Sequence, residues 1–153
     1  MRHLLIVYHS ATGRTAELAR AVESGARDGA VEGVETRVLS ARDAGPNDLL
    51  WAHGLLLGTP ENFGYMSGAL KDFFDRTFYP VEGRLQPLPY AAFVSAGNDG
   101  TGALRAIRRI VGGYPFVEVQ EPVVVVGEVT DAARERCREL GLALAAGLEA
   151  GVY

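Results

Sequence analysis

Five short apolar runs punctuate the chain: Leu4–Tyr8, Val34–Leu39, Gly54–Gly58, Tyr90–Ser95 and Val123–Val126. Four of them are apolar almost throughout, the pattern of strands covered on both faces, as in a parallel sheet. The second, Val34-Glu35-Thr36-Arg37-Val38-Leu39, alternates polar with apolar and is predicted to lie at an edge. Between the runs the apolar positions return at helical spacing. Leu18, Ala19, Val22 and Ala26 share one face of an amphipathic stretch from Ala16 to Ala26. Leu70, Phe73, Phe74 and Thr77 share a second face, Leu104, Ile107 and Val111 a third, and Ala133, Cys137, Leu140 and Leu144 a fourth. The crossover at Pro46–Trp51 has room for only a turn or two of helix. Pro80, Gly83, Pro87 and Pro89 predict one long surface connection before the fourth strand. Strand–helix alternation along the whole chain predicts one doubly wound α/β domain over residues 1–153, with right-handed crossovers.

In such a sheet, ligands sit beyond the carboxyl ends of the strands, where the winding reverses. Three segments there are chemically unusual. The first is Ser10-Ala11-Thr12-Gly13-Arg14-Thr15, a tight hydroxyl-rich turn between the first strand and the first helix. A helix start leaves backbone N–H groups without partners, and its dipole favours an anion. Three hydroxyls add donors and Gly13 lets the backbone close on the ligand, more than an N-cap needs. The turn predicts a phosphate site. The second segment, Thr59-Pro60-Glu61-Asn62-Phe63-Gly64-Tyr65-Met66-Ser67-Gly68, mixes aromatic, amide and glycine residues, and suits a planar polar ring. The third, Ser95-Ala96-Gly97-Asn98-Asp99-Gly100-Thr101-Gly102, is small and glycine-rich, so backbone can lie against a ligand. In the strand order 2-1-3-4-5 these loops leave neighbouring strands and converge on one crevice, shaped for a mononucleotide with a large flat base.

Composition narrows the alternatives. A net charge of −4 disfavours a general nucleic-acid binder, which needs a basic patch. The single cysteine, Cys137, allows no intrachain disulfide and falls on an apolar helical stripe, as a small buried hydrophobe. No apolar run reaches membrane-spanning length, and the first residues enter a strand with no secretory pattern, so a cytoplasmic protein is expected. The chain lacks G-x-x-x-x-G-K-[ST] and has no G-x-G-x-x-G after its first strand, which excludes the usual triphosphate and dinucleotide loops. No His, Cys and carboxylate cluster has metal spacing. Arg14 and Trp51 are expected in solvent and in packing respectively, His9 as a structural histidine, and His3 and His53 at the far edge of the sheet.

The three segments, in this order and spacing, carry a resemblance. Ser10-x-Thr12-Gly13-x-Thr15 looks like the FMN-phosphate loop of flavodoxins. Gly58-Thr59-Pro60, Phe63-Gly64 and Met66-Ser67-Gly68 resemble the second loop of flavodoxin-like quinone reductases. Pro60-Glu61-Asn62 with Gly68-Ala69-Leu70-Lys71-Asp72 is similar to NADPH-dependent FMN reductases. The resemblance spans Leu4 to about Leu148. It implies a flavodoxin-like three-layer sandwich, a five-stranded parallel sheet of order 2-1-3-4-5 with helices on both faces, and noncovalent FMN. It places Ser10, Ala11, Thr12, Gly13, Arg14 and Thr15 on the phosphate. Thr59, Pro60, Glu61, Asn62, Phe63, Gly64 and Tyr65 would line the isoalloxazine ring, and Ser95, Ala96, Gly97, Asn98, Asp99 and Gly100 its pyrimidine end.

The resemblance also implies that the flavin does the chemistry, with no catalytic side chain of the protein's own. Two departures favour an enzyme over a pure electron carrier. The third loop has no aromatic residue to stack on the ring, and the chain is far less acidic than flavodoxins usually are. The expectation is an NAD(P)H-dependent reductase of quinones or similar small acceptors. The alternative is a carrier passing single electrons between redox proteins. Nucleic acid and membrane insertion are not expected. Reductases of this kind often assemble so that a neighbouring chain covers the flavin, while carriers are usually monomers, which leaves a homo-oligomer open.

Overall fold

The computed structural model describes Met1–Tyr153. Eleven elements follow one another: β1 (Arg2–Tyr8), α1 (Arg14–Ala26), β2 (Val34–Ser40), α2 (Pro46–Trp51), β3 (Gly54–Pro60), α3 (Gly68–Val81), β4 (Leu88–Ala96), α4 (Thr101–Val111), β5 (Phe116–Glu118), β6 (Val123–Val126) and α5 (Asp131–Ala150). All strand pairs are parallel, in the order β2-β1-β3-β4-β5, with β6 also paired to β4. β2 is the edge strand that its alternation predicts. The two-residue period of the inner strands sorts their side chains into two cores. Leu5, Val7, Leu55, Leu57 and Ala92 face α2, α3 and α4, with Leu49, Phe73, Phe74 and Ile107. Leu4, Ile6, Leu56, Ala91 and Phe93 face α1 and α5, with Leu18, Val22, Cys137 and Leu144. Each fully buried Leu or Phe stabilises by about 1.5–3 kcal/mol.

Two details differ from expectation. The fifth strand position is filled by two short pieces. β5 pairs with the first residues of β4, Leu88–Tyr90, and β6 with its last, Phe93–Ala96. Val119-Gln120-Glu121-Pro122 lies between them, and Pro122 has no N–H to give to a ladder. The long connection after the third helix is also shorter than Pro80 suggests. Pro80 lies inside α3, one residue from its end, where its ring interrupts a single helical bond. Pro89 is already in β4. Its neighbours Leu88 and Tyr90 bond to the β5 side, so its nitrogen faces β3, whose pairing with β4 begins only at Tyr90.

Trp51, His3 and His53 stack at the amino ends of the strands. The His3 and Trp51 rings are 4.2 Å apart and nearly parallel, and the Arg37 guanidinium sits 3.9 Å over the indole. This is packing at the end of the sheet opposite the three loops.

Helices α1 and α5 cross at near backbone contact because two glycines have no side chain. A Cβ on Gly25 would lie 1.8 Å from the Arg138 carbonyl oxygen, and one on Gly141 would lie 1.9 Å from that of Val22. Helix propensity alone favours alanine over glycine by about 1 kcal/mol. Overpacking against rigid backbone costs about 1–3 kcal/mol and dominates here. Gly25→Ala and Gly141→Ala should each lower the urea midpoint of unfolding. An unchanged or raised midpoint would contradict the close crossing.

Candidate functional site

The carboxyl ends of β1, β3 and β4 lie side by side, and the three loops leave from them. The β1–α1 loop builds a converging set of donors. Gly13 is the N-cap of α1 at φ 106°, in the left-handed region open to glycine, and a Cβ there would meet nothing within 4 Å. Ser10 Oγ accepts from two backbone N–H groups, Gly13 at 3.2 Å and Ala16 at 3.1 Å. The N–H groups of Arg14 and Thr15, in the first turn of the helix, have no acceptor in the protein. Ala11, Thr12, Gly13 and Arg14 are exposed around this cluster. The loop therefore gathers unshared N–H groups at the positive end of a helix dipole, the arrangement of an anion nest. Beside it, His9 is half-buried. Burial, then the Arg42 charge, hold its imidazole pKa below the usual value, so it is mostly neutral at pH 7.

Thr15 differs from the other two hydroxyls. It is buried, and its Oγ1 lies 2.7 Å from Ser95 Oγ at the end of β4. The pair holds one of its two hydroxyl protons between the oxygens and joins the first loop to the third.

In the second loop, Thr59 is fully buried in β3. Its hydroxyl donates to Pro60 O at 2.7 Å and accepts from the Ser67 N–H at 2.9 Å. Ser67 Oγ in turn accepts from the Leu70 N–H and caps α3. Between these ends the chain makes a tight reversal. Asn62 and Tyr65 exchange two backbone hydrogen bonds of 2.9 Å, and the residues at the tip, Phe63 and Gly64, have φ of 51° and 69°. Positive φ at both central residues is the requirement of a type I′ turn, normally met by Asn-Gly. Phe63 is the one non-glycine residue with positive φ, and its ring is wholly exposed. A left-handed conformation costs a bulky residue on the order of 1–2 kcal/mol. Tyr65 beside it is partly exposed.

The third loop leaves Gly97, Asn98 and Asp99 exposed. The Asp99 carboxylate accepts from the Thr101 N–H at 3.0 Å and its hydroxyl at 2.8 Å. Those bonds hold its carboxyl below the usual carboxylate range, so it is ionised at neutral pH. Gly100 is the N-cap of α4, at φ 75°. A concavity of about 340 Å³, lined by Arg2, His53 and Arg84 among others, opens at the opposite end of the sheet. The three loops instead frame an exposed rim. No group of three or more His, Cys, Asp or Glu is arranged to hold a metal, and no helix is long and apolar enough to cross a membrane.

The sequence-predicted residues thus gather at one edge with differing engagements. Ser10 to Arg14, Asn62 to Tyr65 and Gly97 to Asp99 form the rim. The side chains of Thr15, Thr59, Glu61 and Ser95 bond within the protein. Sequence reasoning placed Ser67 and Gly102 in the loops but gave neither a role: Ser67 caps a helix and closes the second loop, and the tip of that loop rests against Gly102. A Cβ on Gly102 would lie 2.0 Å from Gly64 O. The run of glycines at 97, 100 and 102 was the one available signal.

This fold and rim define a class, the flavodoxin-like FMN proteins. The profile of the NADPH-dependent FMN reductase family matches residues 47–131. A flavodoxin of Aquifex aeolicus is 32% identical over 95% of this chain and 86% of its own. An NAD(P)H dehydrogenase (quinone) of Acidithiobacillus ferrooxidans is 32% identical over 67% of this chain and 60% of its own, so the chain spans less than two thirds of that relative. Among solved structures, an archaeal flavodoxin superposes with a TM-score of 0.80 at 24% identity, covering 95% of this chain and 98% of that one. A flavodoxin, WrbA-like protein of Agrobacterium tumefaciens gives 0.79 at 22% identity, covering 95% and 96%. The chain belongs to the flavodoxin-like FMN superfamily, within which its matching family is that of the NADPH-dependent FMN reductases.

The strain at Phe63 gives a direct test of the turn. Phe63→Asn restores the Asn-Gly pair that a type I′ turn prefers, and should raise the stability of the flavin-free protein by about 1 kcal/mol. Urea unfolding would read this as a higher midpoint with an unchanged slope. A lower midpoint would mean that Phe63 packs on the protein.

Proposed function

We propose that this chain is an NAD(P)H-dependent oxidoreductase that holds FMN noncovalently at the rim and passes its electrons to quinones or similar acceptors. The observation that carries the reading is the donor set of the β1–α1 loop. The N–H groups of Arg14 and Thr15 have no acceptor in the protein, those of Gly13 and Ala16 are held by Ser10 Oγ, and the neighbouring strand ends send out loops that expose an aromatic turn and a glycine-rich backbone. A phosphate fits these donors, and a planar ring fits between the loops. Ser10 to Thr15 would hold the phosphate, with Thr12 offering a free exposed hydroxyl. Asn62 to Tyr65 would lie along the ring, and Ala96 to Gly100 at its pyrimidine end. Bound FMN supplies reversible uptake of one or two electrons. The protein's part is to fix the ring, exclude water from one side of it and leave the other accessible. Gly97-Asn98-Asp99-Gly100 carries no large side chain to cover a ring face, which leaves room for a donor and an acceptor.

The family match and the quinone dehydrogenase relatives support the reductase reading. The second reading, an electron carrier, is favoured by the Aquifex aeolicus flavodoxin, which this chain matches over almost its full length. On either reading the chain acts as one FMN-binding domain over residues 1–153, with a small acceptor or a redox protein as partner.

An anaerobic titration separates the two. The FMN-loaded reductase should lose its yellow absorbance on addition of one equivalent of NADPH or NADH. A protein that keeps its colour with both, yet bleaches with dithionite, is the carrier. The phosphate assignment has its own test. Thr12→Ala removes one hydroxyl donor to an anion, worth about 1–2 kcal/mol, and should weaken FMN roughly tenfold in a fluorescence titration. Its unfolding midpoint should not move, because the Thr12 side chain has no partner in the protein.

A further inference from the structure

We propose that Glu61 is a positioning residue that straps the ring loop to the first turn of α4 and presets the site for the flavin ring, an inference that rests on the FMN reading above. The resemblance places Glu61 along the ring edge. The structure gives its carboxylate another task. Glu61 Oε2 accepts from the Gly102 N–H at 3.1 Å and the Ala103 N–H at 3.3 Å, both in the first turn of α4. That helix has a glycine N-cap, no side-chain cap bond and no acidic residue in its first turn. The Thr101 N–H is taken by the adjacent Asp99 carboxylate, and the next two N–H groups are met by a carboxylate from a loop 41 residues away in sequence.

Two further contacts complete the strap. The Glu61 N–H donates to Ser95 O at 2.8 Å, and Ser95 Oγ pairs with Thr15 Oγ1. The tip of the Asn62–Tyr65 turn rests on α4 where Gly102 has no side chain, with Gly64 O only 2.0 Å from the place of a Cβ. The strained turn that presents Phe63, and the loop that presents Asn98 and Asp99, are thereby fixed relative to each other before any ligand arrives. Preset geometry raises affinity by removing the ordering cost from binding. The strap acts on the ring side. The phosphate nest at Ser10–Ala16 closes on its own hydrogen bonds and needs no help from Glu61.

This division makes the inference testable with fragments of the cofactor. Riboflavin probes the ring half alone, and inorganic phosphate the other half. Glu61→Ala should weaken riboflavin and FMN roughly tenfold, as expected if the competent arrangement falls to about a tenth of the molecules. Phosphate affinity, read by amide shifts of the β1–α1 loop, should not change. Glu61→Gln keeps an acceptor oxygen and should restore most of the affinity. Gly102→Ala leaves the carboxylate in place but displaces the turn, and should reproduce the Glu61→Ala loss. In the flavin-free protein, the Gly102 and Ala103 amides should exchange faster in Glu61→Ala than in wild type or Glu61→Gln. Riboflavin affinity within twofold of wild type in Glu61→Ala, or an equal loss of phosphate and riboflavin, overturns the strap. A wild-type chain that binds no flavin overturns the FMN reading instead, and the exchange data then still decide whether the strap exists.

Discussion

The constraint on which the rest of the structure depends is that β1, β3 and β4 are buried on both faces. Their side chains alternate between two apolar cores, and their backbone groups are used up in the parallel ladders. Polar side chains along them would be left unpaired except near the strand ends, where Thr59 and Ser95 find partners in the loops. Everything reactive is therefore displaced to the strand ends, and the carboxyl ends are where helices begin. Four of the helices show how those beginnings are completed. α3 and α5 are capped by their own side chains, Ser67 and Thr130. α1 and α4 also start at the rim, but have glycine N-caps in the left-handed region and no side chain of the cap residue to close them. Their positive ends stay open to groups from elsewhere. For α4 those groups are the carboxylates of Asp99 and Glu61. For α1 it is partly Ser10 Oγ, and two N–H groups remain unmatched.

This pairing of two open helix starts explains how much of the molecule could be read from the sequence. Fully apolar runs marked the inner strands, the alternation of Val34–Leu39 marked the edge, and the 3.6-residue period marked which helix face is core, because each pattern is set by burial alone. Gly13 was legible for a related reason: a glycine between a strand and a helix has few other uses. The internal bonds of the site were not legible. Thr15, Thr59 and Glu61 advertise hydrogen-bonding capacity by their type, but their partners lie 80, 8 and 41 residues away, and no local pattern chooses among them. The same holds for Gly25 and Gly141. They read as weak helix residues until the crossing of α1 and α5 shows the backbone that occupies the missing side-chain space. The split of the fifth strand turned on four residues, Val119 to Pro122, which lie between the part paired to the start of β4 and the part paired to its end.

Several side chains that resemble ligand contacts in the sequence are thus the means by which the contacts are held. The distinction matters for how such sites are altered. An exposed hydroxyl such as Thr12 has no partner in the protein, so on the proposed reading its loss would subtract from affinity and leave the fold untouched. A buried pair such as Thr15 and Ser95 contributes to the geometry of two loops at once. Effects there are not separable into binding and stability, since residues sharing one network do not act additively.

Phe63 is the residue for which the fold alone offers no reason. It occupies a turn position that asparagine or glycine fills without strain, its ring touches solvent over its whole surface, and both features oppose stability. Backbone strain of this kind persists where the surroundings over-determine it, and here they do: the turn is closed by two hydrogen bonds to its own ends and pressed against Gly102. The rim is therefore asymmetric. One loop carries an exposed aromatic ring on a hydrogen-bonded turn, and the third loop, Gly97 to Gly100, carries nothing large. A planar cofactor between them would be backed on one side and open on the other. A carrier has little use for an open face of that size, since electrons can pass through an exposed edge. A reductase needs it, because its donor and acceptor must each approach the ring within contact distance.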